Sequence, residues 1–159
     1  MKEQIIISLS GLPKELITFI IAMLPIFELR GAIPFGIYNK VPFLNVLIIS
    51  IIGNLLPVIP IYFLLNRVFA FLKKYKYGRM FSDWLTRHAF KRSKMIELYE
   101  MLGLIIFVGI PLPMTGAWTG TLISVLLKLK PKYYFIGIIC GVLLAAVIVS
   151  AIMLFVYRI

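Results

Sequence analysis

The sequence predicts an all-α integral membrane protein: two broken helical hairpins and two full transmembrane helices in an inverted repeat, with a basic amphipathic interfacial helix between the halves. Three observations carry this. The chain has 159 residues, 62% of them hydrophobic, with a mean hydropathy of +1.02, whereas soluble domains run near half apolar. Phe43 to Leu65 and Tyr133 to Tyr157 are runs of 23 and 25 residues without a charge, and a span needs about 20. Two further apolar blocks, 16–38 and 101–127, are crowded with helix breakers.

The first block, 16–38, contains "FELRGAIPFG" and is expected to break at Pro25, Gly31, Pro34 and Gly36. Proline removes a helix hydrogen bond and clashes with the preceding turn. Non-helical backbone at membrane depth survives only when buried in protein or lining a wet cavity, so this block reads as a re-entrant or broken hairpin. The second block, 43–65, is an ordinary span in which Pro57 and Pro60 predict a kink, and Asn54 is placed to hydrogen-bond to a hairpin.

Nine of the 17 basic residues then fall between Arg67 and Lys94. In a chain with spans, the +11 net charge reads as a cytoplasmic loop obeying the positive-inside rule rather than as a nucleic-acid surface. Tyr77, Met80, Phe81, Trp84, Leu85 and His88 recur at helical spacing among basic residues. This predicts an amphipathic helix within 73–98, lying against anionic lipid headgroups.

The third block, 101–127, is expected to break at Pro111, Pro113, Gly116 and Gly120. A half-helix starting near Gly116 would aim its amide groups inward, and such ends attract anions. The fourth block, 133–157, is a span. Gly137, Gly141 and Ala145 recur at spacing four, as do Ala146 and Ser150, which suits close helix packing within the subunit or a homo-oligomer contact. The chain is thus a single membrane domain, 1–159, with halves at 10–72 and 99–159 around the linker. Paired broken segments in matching places of two halves point to a transporter site. Counting basic residues leaves two topologies open. Two hairpins and four full spans each put 12 basic residues inside and four outside, the hairpin count setting Arg30 within the membrane.

The start, "MKEQIIISLSGLPKELI", carries Glu3 and Glu15 and lacks a clean apolar core before a small-residue site, so no cleaved leader is expected. The single cysteine, Cys140, can make no internal disulfide.

Glu28 and Arg30 are the only charged pair within an apolar block. Each costs about 2.5 to 3.5 kcal/mol at a span centre on insertion scales, so function is the default reading. The competing reading puts them at a hairpin end, reaching water. Residues two apart on a regular helix point to different sides, so they meet only if the backbone unwinds; otherwise each has its own partner. Arg30 suits a phosphate or carboxylate through its planar fork. Burial and the neighbouring arginine pull in opposite directions on Glu28, which suits a carboxyl that carries a proton. The second broken block has no charge and offers Thr115, Trp118 and Thr119. With Glu28, Arg30 and Asn54 these form the expected substrate and proton site.

Catalysis has little support. The one histidine is His88 and the one aspartate is Asp83; no cysteine or histidine cluster suits a metal, and no phosphate-cradling GxxxxGK[ST] motif occurs. No enzyme activity, cofactor or metal is expected.

"ELRGAIPFGI" (Glu28 to Ile37) and "PLPMTGAWTG" (Pro111 to Gly120), with "IGNLLPVIP" (Ile52 to Pro60) between them, resemble the small multidrug export protein family in motif, spacing and length. Met114 stands where that pattern leads one to expect glycine. The architecture also resembles, more distantly, the DedA-type membrane proteins, which are built on two opposed re-entrant hairpins and linked to phospholipid transport. Their acidic groups and arginine match Glu28 and Arg30 here, but the second hairpin has no arginine. The resemblance implies a multi-pass transporter of the cell membrane that moves a drug-like compound or an anionic lipid phosphate by alternating access, coupled to protons through Glu28. The alternative is a scaffold whose basic helix binds anionic lipid or a protein partner.

Overall fold

Every regular element in the computed structural model, which describes residues 12–72, 94–112 and 115–157, is an α-helix. The expected basic amphipathic helix lies largely outside these residues, as do Pro113 and Met114.

Helix α1 (Lys14–Met23) opens on the Pro13 carbonyl, which accepts from Leu16 and Ile17 at 3.0 and 3.2 Å, and Glu15 in its first turn suits the positive helix end. It stops because Pro25 disfavours helical backbone in the residue before it; Leu24 is extended, with ψ 135°. Helix α2 (Glu28–Tyr38) begins at Glu28, a non-glycine residue at φ 50° whose N–H donates to Leu24 O at 2.9 Å. Lys14 Nζ donates to Asn39 O at 3.0 Å. The start of α1 thus meets the end of α2, and the pair is an antiparallel hairpin with its tip at residues 24–27.

Helices α3 (Phe43–Leu55) and α4 (Val58–Leu72) are nearly continuous; Phe43–Phe71 is a 29-residue apolar stretch long enough to cross a membrane. The helix is interrupted at Leu56–Pro57, where proline withholds a backbone donor, while Pro60 lies inside α4. The helix runs past the expected end at Leu65. After residues 73–93 come α5 (Lys94–Gly109), α6 (Ala117–Leu126) and α7 (Pro131–Tyr157), the last with a 26-residue apolar stretch of spanning length. The first turn of α5 falls in the stretch expected as linker. The protein is therefore all-helical among its described residues, with two long apolar helices.

Not every expected breaker breaks. Gly31, Pro34 and Gly36 lie inside α2, and Gly120 inside α6. The hairpin turns at Pro25 instead. Pro34 removes one hydrogen bond, and the packed neighbours of a short buried helix compensate. Gly36 and Gly120 serve packing: a Cβ would stand 2.6 Å from Val46 Cγ2 at the first and 2.6 Å from Val108 Cγ2 at the second.

Helix α1 packs along α3, and α5 along α7. Both contacts are made by a glycine against a helix backbone. A Cβ at Gly53 would stand 2.9 Å from Ala22 Cβ and from Phe19 O; one at Gly141 would stand 2.7 Å from Val108 Cβ and 3.2 Å from Ile105 O. Helix α2 in turn packs on α7, and α6 on α4. Both short helices also end alike. Lys40 (φ 61°) follows α2, with Val41 N donating to Gly36 O at 3.1 Å; Lys128 (φ 53°) follows α6, with Leu129 N donating to Ser124 O at 2.9 Å. The small-residue stripe of α7 is buried within the subunit, with Gly137 and Gly141 against Leu104 and Val108.

The crossing of α4, α6 and α7 is pinned by Tyr134, which is fully buried and stacked on Tyr62 at 4.2 Å between ring centroids. Its hydroxyl donates to Val58 O at 3.3 Å and lies 3.1 Å from Thr121 Oγ1. Tyr134→Phe keeps the ring and loses the hydroxyl, so it should cost about 1 kcal/mol. Thermal unfolding in detergent should show a midpoint about 2 to 4 °C lower; an unchanged midpoint would assign the site's stability to stacking alone.

Candidate functional site

The two hairpin tips meet. Residues 24–27 and the head of α2 face the connection between α5 and α6, which ends at Gly116. That glycine has φ 142° and ψ −171°, a backbone open in practice only to glycine. It turns the chain into α6 with the first amides of the helix pointing at the opposite tip.

The anion at that helix end belongs to the protein. Glu28, 4% exposed, sets its carboxylate over Gly116 and accepts from Trp118 N at 3.3 Å. A Cβ at Gly116 would collide with both carboxylate oxygens. The unsatisfied amides and positive end of a helix favour a carboxylate there.

Arg30 takes the other side of the same break. Its Nη1 donates to Leu112 O, and its Nη2 to Val108 O at 3.4 Å, Ile110 O at 3.3 Å and Thr115 Oγ1 at 2.9 Å. Thr115 Oγ1 itself sits 2.9 Å from Ile110 O and from Leu112 O. The guanidinium therefore covers the negative C-terminal end of α5, where carbonyls lack helical partners. Each charge has its own partner, as residues two apart require. Glu28 addresses the helix that starts after the break and Arg30 the helix that stops before it.

Beside this clasp lies a cleft of about 180 Å³, walled by Pro25, Phe27, Glu28, Arg30, Pro111 and Thr115 among others. Of the expected site residues, Glu28, Arg30 and Thr115 line it, and Trp118 reaches Glu28 through its backbone. The Trp118 indole Nε1 and the Arg30 Nε are buried without a partner among the described residues. Thr119 is half-buried one residue further along α6, outside the cleft walls. Asn54 is also outside them: it is buried on α3, and its Oδ1 lacks a partner among the described residues, so no bond from that atom to a hairpin is present.

That the backbone carbonyls of Val108, Ile110 and Leu112 are the arginine's ligands is not legible locally, because 78 to 82 residues separate the partners. The unpaired arginine itself was the available signal, since a buried guanidinium requires acceptors.

Comparison with families of known proteins matches residues 28–148 to the family described as "Putative small multi-drug export protein". No curated protein and no solved structure matches the chain.

Proposed function

The chain belongs to the small multi-drug export protein family, and from that premise we propose that it is a small exporter of the cell membrane, built as an inverted repeat of two re-entrant hairpins whose tips form the transport site. Residues 10–72 and 99–159 are its halves. The observation that carries this reading is the reciprocal clasp, in which Glu28 and Arg30 of one hairpin cover the two broken helix ends of the other.

Several geometric facts support re-entrance. Gly109, at the end of α5, lies against Leu144, the central residue of α7. Ala22, near the end of α1, lies against Gly53, four residues before Pro57 at the centre of Phe43–Phe71. Each tip thus reaches half-way along its long helix. Tyr62, well along the first long helix, stacks on Tyr134 at the start of the second, as antiparallel spans require. The repeat is supported by a constant offset of 88 positions, from 40 to 128 at the helix-ending lysines and from 53 to 141 at the packing glycines. The same offset carries Glu28 onto Gly116, the residue beneath its own carboxylate. Matching positions that touch lie near a two-fold axis, and there is room for one carboxylate on it.

The transported molecule is an amphipathic, drug-like compound. The nitrogens Nη1 and Nη2 of Arg30 are engaged by the end of α5, which favours this class over an anionic lipid phosphate. Protonating Glu28 removes its charge, weakens its hold on the start of α6 and lets the tips part. Rocking of the halves then exposes the cleft to alternate sides. Glu28→Gln preserves shape and abolishes the charge change. In proteoliposomes with an imposed pH gradient it should lower drug flux at least tenfold while the unfolding midpoint stays within a few degrees. A wild-type protein without gradient-driven flux would favour the scaffold reading, which the internal contact between Glu28 and Trp118 N also accommodates.

A further inference from the structure

A second cavity lies at the other end of the second hairpin, away from the clasp. It has a volume of about 270 Å³ between α5 and α6, with walls that include Glu100, Gly103, Leu104, Phe107, Ile123 and Leu127. All but one of these are apolar. Glu100 brings a carboxyl to it, and the Oε2 atom is buried with no hydrogen-bond partner among the described residues. A carboxylate oxygen shielded from water and left unpaired is costly and calls for a cation. Phe107 adds an aromatic side chain to the wall, and aromatic rings attract cations. Gly103 leaves one wall open, because a Cβ there would meet nothing within 4 Å.

We propose that this cavity binds a small organic cation with an apolar body, its ammonium against Glu100 and its hydrocarbon against Leu104, Phe107 and Ile123. The depth suits such a ligand. Glu100 stands nine positions before Gly109 on α5, about 13 Å along the helix. With the hairpin tip at mid-membrane, that sets Glu100 near the edge of a hydrocarbon core about 30 Å thick. Amphipathic cations gather at that level. The site opens at the mouth of the hairpin, on the side where the positive-inside rule sets the basic linker, so it serves as a loading site for export. Its role in loading rests on the exporter reading, whereas binding does not.

The test therefore reads binding. Benzyltrimethylammonium is titrated into the full-length protein in phosphatidylglycerol nanodiscs, with calorimetric detection. Wild type should bind one equivalent. Glu100→Gln should bind at least tenfold more weakly, and Gly103→Phe, which fills the cavity without a steric clash at Cβ, should bind at least tenfold more weakly with an unaltered unfolding midpoint. Glu28→Gln, whose carboxyl lies in the clasp, should bind as wild type even if its flux is lost. Equal affinity in wild type and Glu100→Gln overturns the proposal, as does loss of binding in Glu28→Gln alone. Replacing half the lipid by phosphatidylethanolamine should leave affinity unchanged; a tenfold loss would assign the cavity to a lipid ammonium headgroup and overturn the free-ligand proposal.

Discussion

Gly116→Ala should separate the two hairpins, at a cost of about 4 kcal/mol. Two terms contribute. At φ 142° the backbone strains any side chain, for about 1 to 3 kcal/mol. The new Cβ also occupies the space of the Glu28 carboxylate, which must leave its bond to Trp118 N, and a hydrogen bond to a charged group is worth about 1.5 to 3 kcal/mol. The terms separate by a double-mutant cycle followed by unfolding in detergent. In a Glu28→Ala background the collision is gone, and Gly116→Ala should then cost only its strain, about 1 to 3 kcal/mol. The same cost in both backgrounds would show that Glu28 does not rest on Gly116.

That contact also marks how far the sequence could be read. Membrane character, the two long helices and the interruptions near Pro25 and Pro111 follow from composition and from the covalent limits of proline, which act locally. The breaker role of Gly31, Pro34 and Gly36 did not hold, because glycine in a packed helix can be selected for close approach, and a sequence does not say whether a glycine frees φ or makes room. Gly116 does both and Gly36 only the second. The two charges stood out at once, yet their partners are mainly backbone groups on another hairpin, and a backbone carbonyl carries no residue signature. The expected anion site at the start of α6 exists geometrically, but Glu28 fills it. Glu100 carries no such sign, because it sits just before block 101–127 and reads as a solvated flank; the shielding of its Oε2 depends on how α6 folds back over α5.

The order of stability wild type, Arg30→Lys, Arg30→Gln tests whether the arginine is a fastener or a ligand-binding group. Two nitrogens of one planar fork reach Val108 O, Ile110 O, Leu112 O and Thr115 Oγ1. Lysine keeps the charge but not the fork, so it should retain some of these contacts and fall about 1.5 kcal/mol short of arginine, the lower value for one lost hydrogen bond to a charged group. Glutamine loses the charge and most of the reach, leaving the end of α5 uncovered, and should cost about 3 kcal/mol. Because Arg30 is only half-buried, water recovers part of the loss, which keeps the figure well below the sum of the individual bonds. Unfolding midpoints in detergent and in phosphatidylglycerol nanodiscs give the order. A ligand-binding arginine predicts another pattern, with all three proteins equally stable and only flux or anion affinity changed. The clasp requires Arg30→Gln to lower the midpoint more than Glu28→Gln, whose amide oxygen can still accept from Trp118 N although the charge is gone. An Arg30→Gln protein as stable as wild type would remove the clasp as the element holding the two hairpin tips together and return the arginine to the role of an anion receptor in the cleft.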